Sequence, residues 1–167
     1  MSKNNKLFYS YLAGLIDGEG CLGLYKTRKA RSKRGYGWEL SLTIGNSSRT
    51  LIKFLSKKLK TNYYIQERSQ YYNPNKKYRK YLTIKLTGDK LKNLLFNIGP
   101  YLIEKEKAAK IMQKALKIWF PKEITNNNQK CKLFDNLERK IIPLARKLKK
   151  LKTKATSSHG RPITIKS

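Results

Sequence analysis

Leu12-Ala13-Gly14-Leu15-Ile16-Asp17-Gly18-Glu19-Gly20 decides how the rest of this chain is read. Phe8, Leu12, Leu15 and Ile16 recur at helical spacing behind the polar lead-in Lys3 to Lys6, so the stretch is the end of an amphipathic helix. Gly14 and Gly18 lie four apart and leave one stripe of that helix without side-chain bulk. A glycine inside a helix costs about 1 kcal/mol relative to alanine. Close approach of a second backbone, as where two such helices cross, is the compensation that fits. Asp17 and Glu19 arrive where the glycines end the helix. Carbonyls at a helix C-terminus carry partial negative charge, so acids are unfavourable there unless a cation sits among them. The stretch reads as a packing surface that ends in a cation site.

The surrounding composition sets the partner. The 167 residues carry 39 Lys and Arg against 10 Asp and Glu, a formal charge of +29 on a chain that is 39% hydrophobic. That combination describes a folded, polyanion-binding protein rather than a disordered one. Eleven tyrosines and two tryptophans among the basic residues favour nucleic acid over a membrane surface. No apolar run has the length to span a bilayer, and the N-terminus lacks the apolar core of a signal peptide. Cys21 and Cys131 are too few and too far apart for a disulfide framework or zinc ribbon, so an intracellular, reducing compartment is expected, either cytoplasm or an organelle matrix. His159 is the only histidine, which leaves carboxylates, lysines and water to do any chemistry.

After Gly20 the period changes from helical to alternating. Leu22 and Leu24 face one way and Cys21, Gly23, Tyr25 and Thr27 the other, which predicts a half-buried strand. Six basic residues in the nine from Lys26 to Arg34, Lys29 and Arg31 among them, form a hairpin suited to a phosphate backbone. Trp38 to Ile44 returns, with Leu40, Leu42 and Ile44 inward and Glu39, Ser41 and Thr43 outward. Ser47 to Thr50 starts a helix that carries Leu51, Ile52, Phe54, Leu55 and Leu59. Tyr63 to Gln70 predicts a third strand with Ile65 inward and Tyr64, Gln66 and Arg68 outward. Asn73-Pro74-Asn75 marks its turn. Tyr78 to Leu86 predicts the fourth strand, with Leu82, Ile84 and Leu86 inward and Arg79, Tyr81, Thr83 and Lys85 outward. A helix follows over Leu91 to Ile98, Gly99-Pro100 breaks it, and a long helix is expected from about Tyr101 to Trp119. Beyond Pro121, Cys131 to Ile142 predicts a helix stopped by Pro143, and eight basic residues with no acid run from Arg139 to Lys154.

The expected class is therefore α+β, with a four-stranded antiparallel sheet and helices on one face. Residues 1–120 would form the core, 121–155 a C-terminal helix and basic arm of the same domain, and 156–167 a flexible tail. The open sheet face would carry Tyr25, Thr27, Glu39, Ser41, Thr43, Gln66, Arg68, Arg79, Tyr81, Thr83 and Lys85, side chains able to read base edges in a major groove. Arg139, Lys140, Arg146 and Lys147 would bind phosphate.

Residues 12–20 read LAGLIDGEG and closely resemble the LAGLIDADG signature of homing endonucleases, with Gly18 and Glu19 as departures. The resemblance implies an αββαββα order with the sheet saddling DNA, which agrees with the pattern over residues 6–120. It also implies a site-specific double-strand DNA endonuclease, intron-encoded, acting on a long, nearly palindromic target by metal-dependent hydrolysis. By resemblance Glu19 is the metal-binding acid, the Gly18 carbonyl a further ligand, Lys105 the basic residue near the scissile phosphate, and Ser48 the catalytic position after the second strand. Mg²⁺ is the expected ion, with Mn²⁺ substituting and Ca²⁺ supporting binding without efficient cleavage. The signature occurs once, so a two-sided site requires self-pairing through the motif helix. Leu12, Ala13, Gly14, Leu15, Asp17 and Gly18 are the expected homodimer interface. An RNA maturase acting on its host intron and a catalytically inactive DNA-binding regulator are the competing readings of the same fold.

Overall fold

The computed structural model describes residues 3–29, 34–66, 81–120 and 127–158. The chain opens with α1, Lys3–Glu19, and turns straight into β1, Gly20–Arg28. Gly20 makes that reversal possible, because a Cβ there would lie 2.7 Å from the Ile16 carbonyl oxygen. β2, Tyr36–Asn46, pairs antiparallel with β1 from Gly20 opposite Ile44 to Arg28 opposite Tyr36. α2, Arg49–Lys58, leads to β3, Tyr63–Gln66, and β4, Tyr81–Thr87, which joins β2 to β3 in the sheet order β1-β2-β4-β3. α3, Gly88–Ile98, α4, Glu106–Trp119, and α5, Asn127–Ser158, complete the described chain.

The expected α+β architecture holds. Leu22, Leu42, Ile44, Ile84 and Leu86 leave one sheet face and meet Leu12 and Ile16 of α1, Ile52 and Leu55 of α2, and Leu91, Leu95 and Ile98 of α3, all essentially without solvent contact. Each such side chain contributes about 1.5–3 kcal/mol through burial. This layer holds α1 against the sheet, and so fixes where its C-terminal acids stand.

Three expectations are corrected. Ile65 lies on the helix side of β3 but is 50% exposed, because β3 is the sheet edge and α2 does not reach past it. The helix expected from Tyr101 starts only at Glu106, after a 3-10 turn over Gly99–Tyr101. The intervening N–H groups of Ile103 and Lys105 donate to the Asp17 carboxylate, at 2.8 and 2.9 Å, and the first helical bond then forms from Ala109 N–H to the Lys105 carbonyl. Third, Pro143 does not stop a helix; α5 runs through it to Ser158, past the expected start of the tail. Proline removes one main-chain donor. Here it faces solvent, while Leu137, Ile141 and Leu148 are buried on both sides of it and hold the helical path. The turn at Asn73-Pro74-Asn75, Arg31, Arg68, Arg79 and residues 159–167 lie outside the described residues.

α5 is also tied to the β1–β2 hairpin by acids. Glu138 accepts hydrogen bonds from Tyr36 Oη at 3.0 Å and Trp38 Nε1 at 3.1 Å, and its carboxylate is 3.2 Å from Lys26 Nζ. Arg34 forms a two-pronged pair with Asp135 one turn earlier. Burial alone would push the Glu138 carboxyl up, yet the hydrogen bonds from Trp38, Lys26 and Tyr36 outweigh it and hold the group below the ordinary glutamate value of 4.5. A carboxyl held low in the folded state stabilises the fold above its unfolded value, and that stabilisation is lost as pH falls through the folded value. Glu138→Gln should therefore lower the unfolding temperature near neutral pH and flatten its decline as pH falls through and below the ordinary glutamate range. Parallel wild-type and variant melting profiles across that range would show that the clasp carries no stability.

Candidate active site and nucleic-acid interface

The signature ends in two acids with different surroundings. Asp17 is half-buried and points toward the chain segment before α4. It accepts the Ile103 and Lys105 N–H groups, while Lys105 Nζ donates to the Asp17 carbonyl oxygen. The ammonium thus offsets the negative end of α1, and Asp17 caps the approach to α4. Glu19 is exposed at the last position of α1, and its carboxylate has no hydrogen-bond partner among the described residues. The structure therefore separates a structural acid from a chemically available one, as expected for Asp17. Lys105 stands immediately before α4, not inside it, and is bonded beside the Glu19 end of the motif.

Ser48 has a different local task. Its Oγ accepts the Leu51 N–H at 3.3 Å and its own N–H donates to Asn46 Oδ1 at 2.7 Å, so it caps α2. The pairing of Gly20 with Ile44 brings the end of β2 beside the end of α1, which places Asn46 and Ser48 just beyond the motif.

The bare stripe of α1 is open. A Cβ added at Gly14 or Gly18 would meet nothing within 4 Å. Leu7 is 65% exposed and Tyr11 51%, on the same helical face, and Ile103 beside Asp17 is 83% exposed. Leu12 and Ala13 are corrected as interface residues: both are fully buried in the chain's own core, so the free face is offset to Leu7, Tyr11, Gly14 and Gly18, with Leu15 at its margin. Large exposed apolar side chains thus stand beside two glycines with open space above them.

On the open sheet face, Tyr25 Oη donates to Glu39 Oε1 at 2.7 Å, and Lys85 Nζ is 2.5 Å from the same oxygen. Burial pushes the Glu39 carboxyl up, but Lys85 and Tyr25 overcome it and lower it, while Glu39 raises Lys85. Two expected base readers are corrected. Ser41 and Thr83 are 1% and 5% exposed, because tyrosines cover them. Tyr25 folds over Gly23 and toward Ser41, and the Tyr81 ring occupies the space a Cβ would need on Gly45, the neighbour of Thr83 across the strands. Thr83 Oγ1 is left buried without a hydrogen-bond partner among the described residues. Thr27 and Thr43 are half-buried; Lys29 is exposed in the hairpin. Gln66 places its backbone on this face, and its side chain lies outside the described residues. Arg139, Lys140, Arg146 and Lys147 are exposed on α5. Sequence reasoning missed Asp135 and Glu138; acids three apart in a basic segment were the available signal.

The LAGLIDADG endonuclease family model matches residues 12–111, from the motif into the first half of α4. The chain belongs to this family. The LAGLIDADG fold is also what solved structures share with it. The homing endonuclease I-CvuI, in complex with the I-CreI target in the presence of Mg, is 20% identical with a TM-score of 0.68, covering 98% of this chain and 90% of that one. The archaeal intron-encoded I-Vdi141I bound to DNA is 16% identical with a TM-score of 0.63, covering 87% and 84%. The group I intron-encoded I-CeuI bound to DNA is 17% identical with a TM-score of 0.60, covering 88% and 67%. No curated protein matches the chain. In this LAGLIDADG chain the Asp17 clamp is the feature that positions Glu19. Asp17→Ala should lower stability by about 1–3 kcal/mol, read by urea unfolding; an unchanged midpoint would remove the clamp from the account.

Proposed function

We propose that this endonuclease works as a homodimer on double-stranded DNA, with one Glu19 from each copy meeting at the crossing of the two α1 helices. The observation that carries the reading is the contrast between the three motif glycines. Gly20 is required by the chain's own reversal, whereas Gly14 and Gly18 face open space beside an exposed Glu19 that has no partner among the described residues. Two-fold crossing there is isologous and brings like acids together. Among the described residues of one chain no group of three or more His, Cys, Asp or Glu could hold a metal. Paired Glu19 carboxylates and the Gly18 carbonyls, left without helical partners at the end of α1, form an oxygen donor set that fits a hard divalent cation. When bound, such an ion activates water and stabilises the leaving 3′ oxygen of a phosphodiester.

The chain's own groups do the rest. Glu19 supplies negative charge for the ion, Lys105 keeps positive charge beside the acid, and Ser48 holds the start of α2 next to it. The outer sheet face, through Tyr25, Glu39, Tyr81 and Lys85, addresses bases, while α5 addresses phosphates. A symmetric dimer reads a nearly palindromic target. I-CvuI structures with DNA in the presence of Mg or Ca support a divalent ion at this site, and Mg²⁺ is the ion proposed here for cleavage. Mn²⁺ should substitute, and Ca²⁺ should support binding without efficient cleavage.

Selection of cleaved duplexes from a randomised DNA library with Mg²⁺ tests the reading, and recovery of no cleaved sequence overturns it. On a selected target, Glu19→Gln should preserve folding and most of the DNA affinity while single-turnover cleavage falls by about 10²-fold or more. Near-normal cleavage by the folded variant would exclude Glu19 from the metal site. Gly14→Leu should abolish dimer and cleavage together, and a wild-type protein that sediments as a monomer on target DNA would exclude the crossing.

A further inference from the structure

α5 does more than cover α4. Its C-terminal half runs beside β1, the free edge of the sheet, and leaves a groove between helix and strand. Near the hairpin the groove is a cavity of about 350 Å³ between Leu24, Tyr25 and Lys26 on one side and Arg146 and Lys149 on the other. Toward the motif it continues as a cavity of about 370 Å³ between Gly20, Cys21 and Leu22 and the residues Lys105 and Lys107. Lys152 lines both, so the two are consecutive parts of one path. At the motif end Lys152 Nζ lies 3.3 Å from Cys21 Sγ, two residues beyond Glu19.

The charge of the path is one-sided. Arg146, Lys149 and Lys152 follow at three-residue intervals along α5, with Leu148 buried between them to seat the helix. Neighbours three apart on a helix stand about 5–6 Å from each other, close enough for adjoining cationic arms to reach successive phosphates of one strand. Lys105 and Lys107 add charge beside the start of α4, Lys26 is held by Glu138, and Glu104 is the one acid in the lining among the described residues.

We propose that this groove binds the phosphodiester backbone of a single DNA strand, with Arg146, Lys149 and Lys152 as its cationic wall and Lys152 at the end where Glu19 stands. The proposal rests on the endonuclease reading above and extends it: the C-terminal helix guides a strand toward the motif instead of serving as a distant, generally basic arm.

Cys21 lies exposed on the groove floor and reports its occupancy without any need for cleavage. The protein is treated with N-ethylmaleimide alone and with random-sequence duplex DNA, and Cys21 modification is followed by peptide mass spectrometry. Bound DNA should slow it by about tenfold or more at concentrations well above Kd. Replacing Arg146, Lys149 and Lys152 together by Gln should flatten the dependence of log K on log salt by about 0.9 per lost phosphate contact, so by about two to three in all. On a selected target, Lys152→Gln should slow cleavage at saturating protein, and Lys152→Arg should restore it. Unchanged Cys21 reactivity on DNA that the protein binds, or an unchanged salt slope in the triple variant, overturns the groove and leaves the endonuclease reading intact. DNA protection of Cys21 without cleavage of any duplex overturns the endonuclease reading and keeps the groove, whereas failure to bind duplex DNA overturns both.

Discussion

The reciprocal clamp between Asp17 and Lys105 is the interaction on which this structure turns. An aspartate at the C-terminal end of a helix opposes the helix dipole. Here two main-chain N–H groups and one ammonium offset that opposition, and in doing so they join α1 to the start of α4. Packing against the sheet fixes α1 along its length; the clamp fixes its end. Glu19 is thereby held two residues past a rigid point, with the glycine stripe directed outward. The clamp also explains why α3 and α4 are separate helices, because the residues between them are committed to Asp17.

A basic chain with only ten acids places them with purpose. Asp17 closes the clamp, Glu39 neutralises Lys85 on the sheet face, and Asp135 and Glu138 hold α5 to the hairpin. Exposed ion pairs contribute little to stability on their own. Glu138 differs because it gathers a tyrosine, a tryptophan and a lysine onto one partly covered carboxylate. Internal pairing of acids leaves the surplus of positive charge facing outward, along α5 and the hairpin. That distribution suits a polyanion that lies across the sheet and passes beside its edge.

Much of this was legible in the residues. The switch from helical to alternating period at Gly20 located α1 and β1, and alternation placed Leu22, Leu42, Ile84 and Leu86 inward correctly. The position of Asp17 at the helix end indicated its structural role, and the hydrogen bonds it accepts from Ile103 and Lys105 agree with that. Periodicity could not show how neighbouring elements share a face. Leu12 and Ala13 belong to the motif yet turn into the core, since only tertiary packing decides which stripe remains free. Ser41 and Thr83 alternate with the outer face but lie beneath tyrosines, a cross-strand effect invisible in a single strand's pattern. Pro143 was misleading for a related reason: local propensity argued for a stop, and burial on both sides of it prevailed. The groove could not be seen at all, because it forms between segments more than a hundred residues apart.

The tyrosines above Gly23 and Gly45 have an evolutionary consequence. Where an outer-face position lacks a side chain, the local relief is set by a neighbouring ring turning about its own torsions and not by the course of the backbone. Replacing Tyr25 or Tyr81 would uncover a recess, and at Gly45 that recess adjoins the Thr83 hydroxyl, which has no hydrogen-bond partner among the described residues. The hydrogen-bonded ladder beneath would keep its register. The contour presented by the sheet can therefore drift by single substitutions while the scaffold stays constant, which is the property a lineage needs to follow a changing target without refolding.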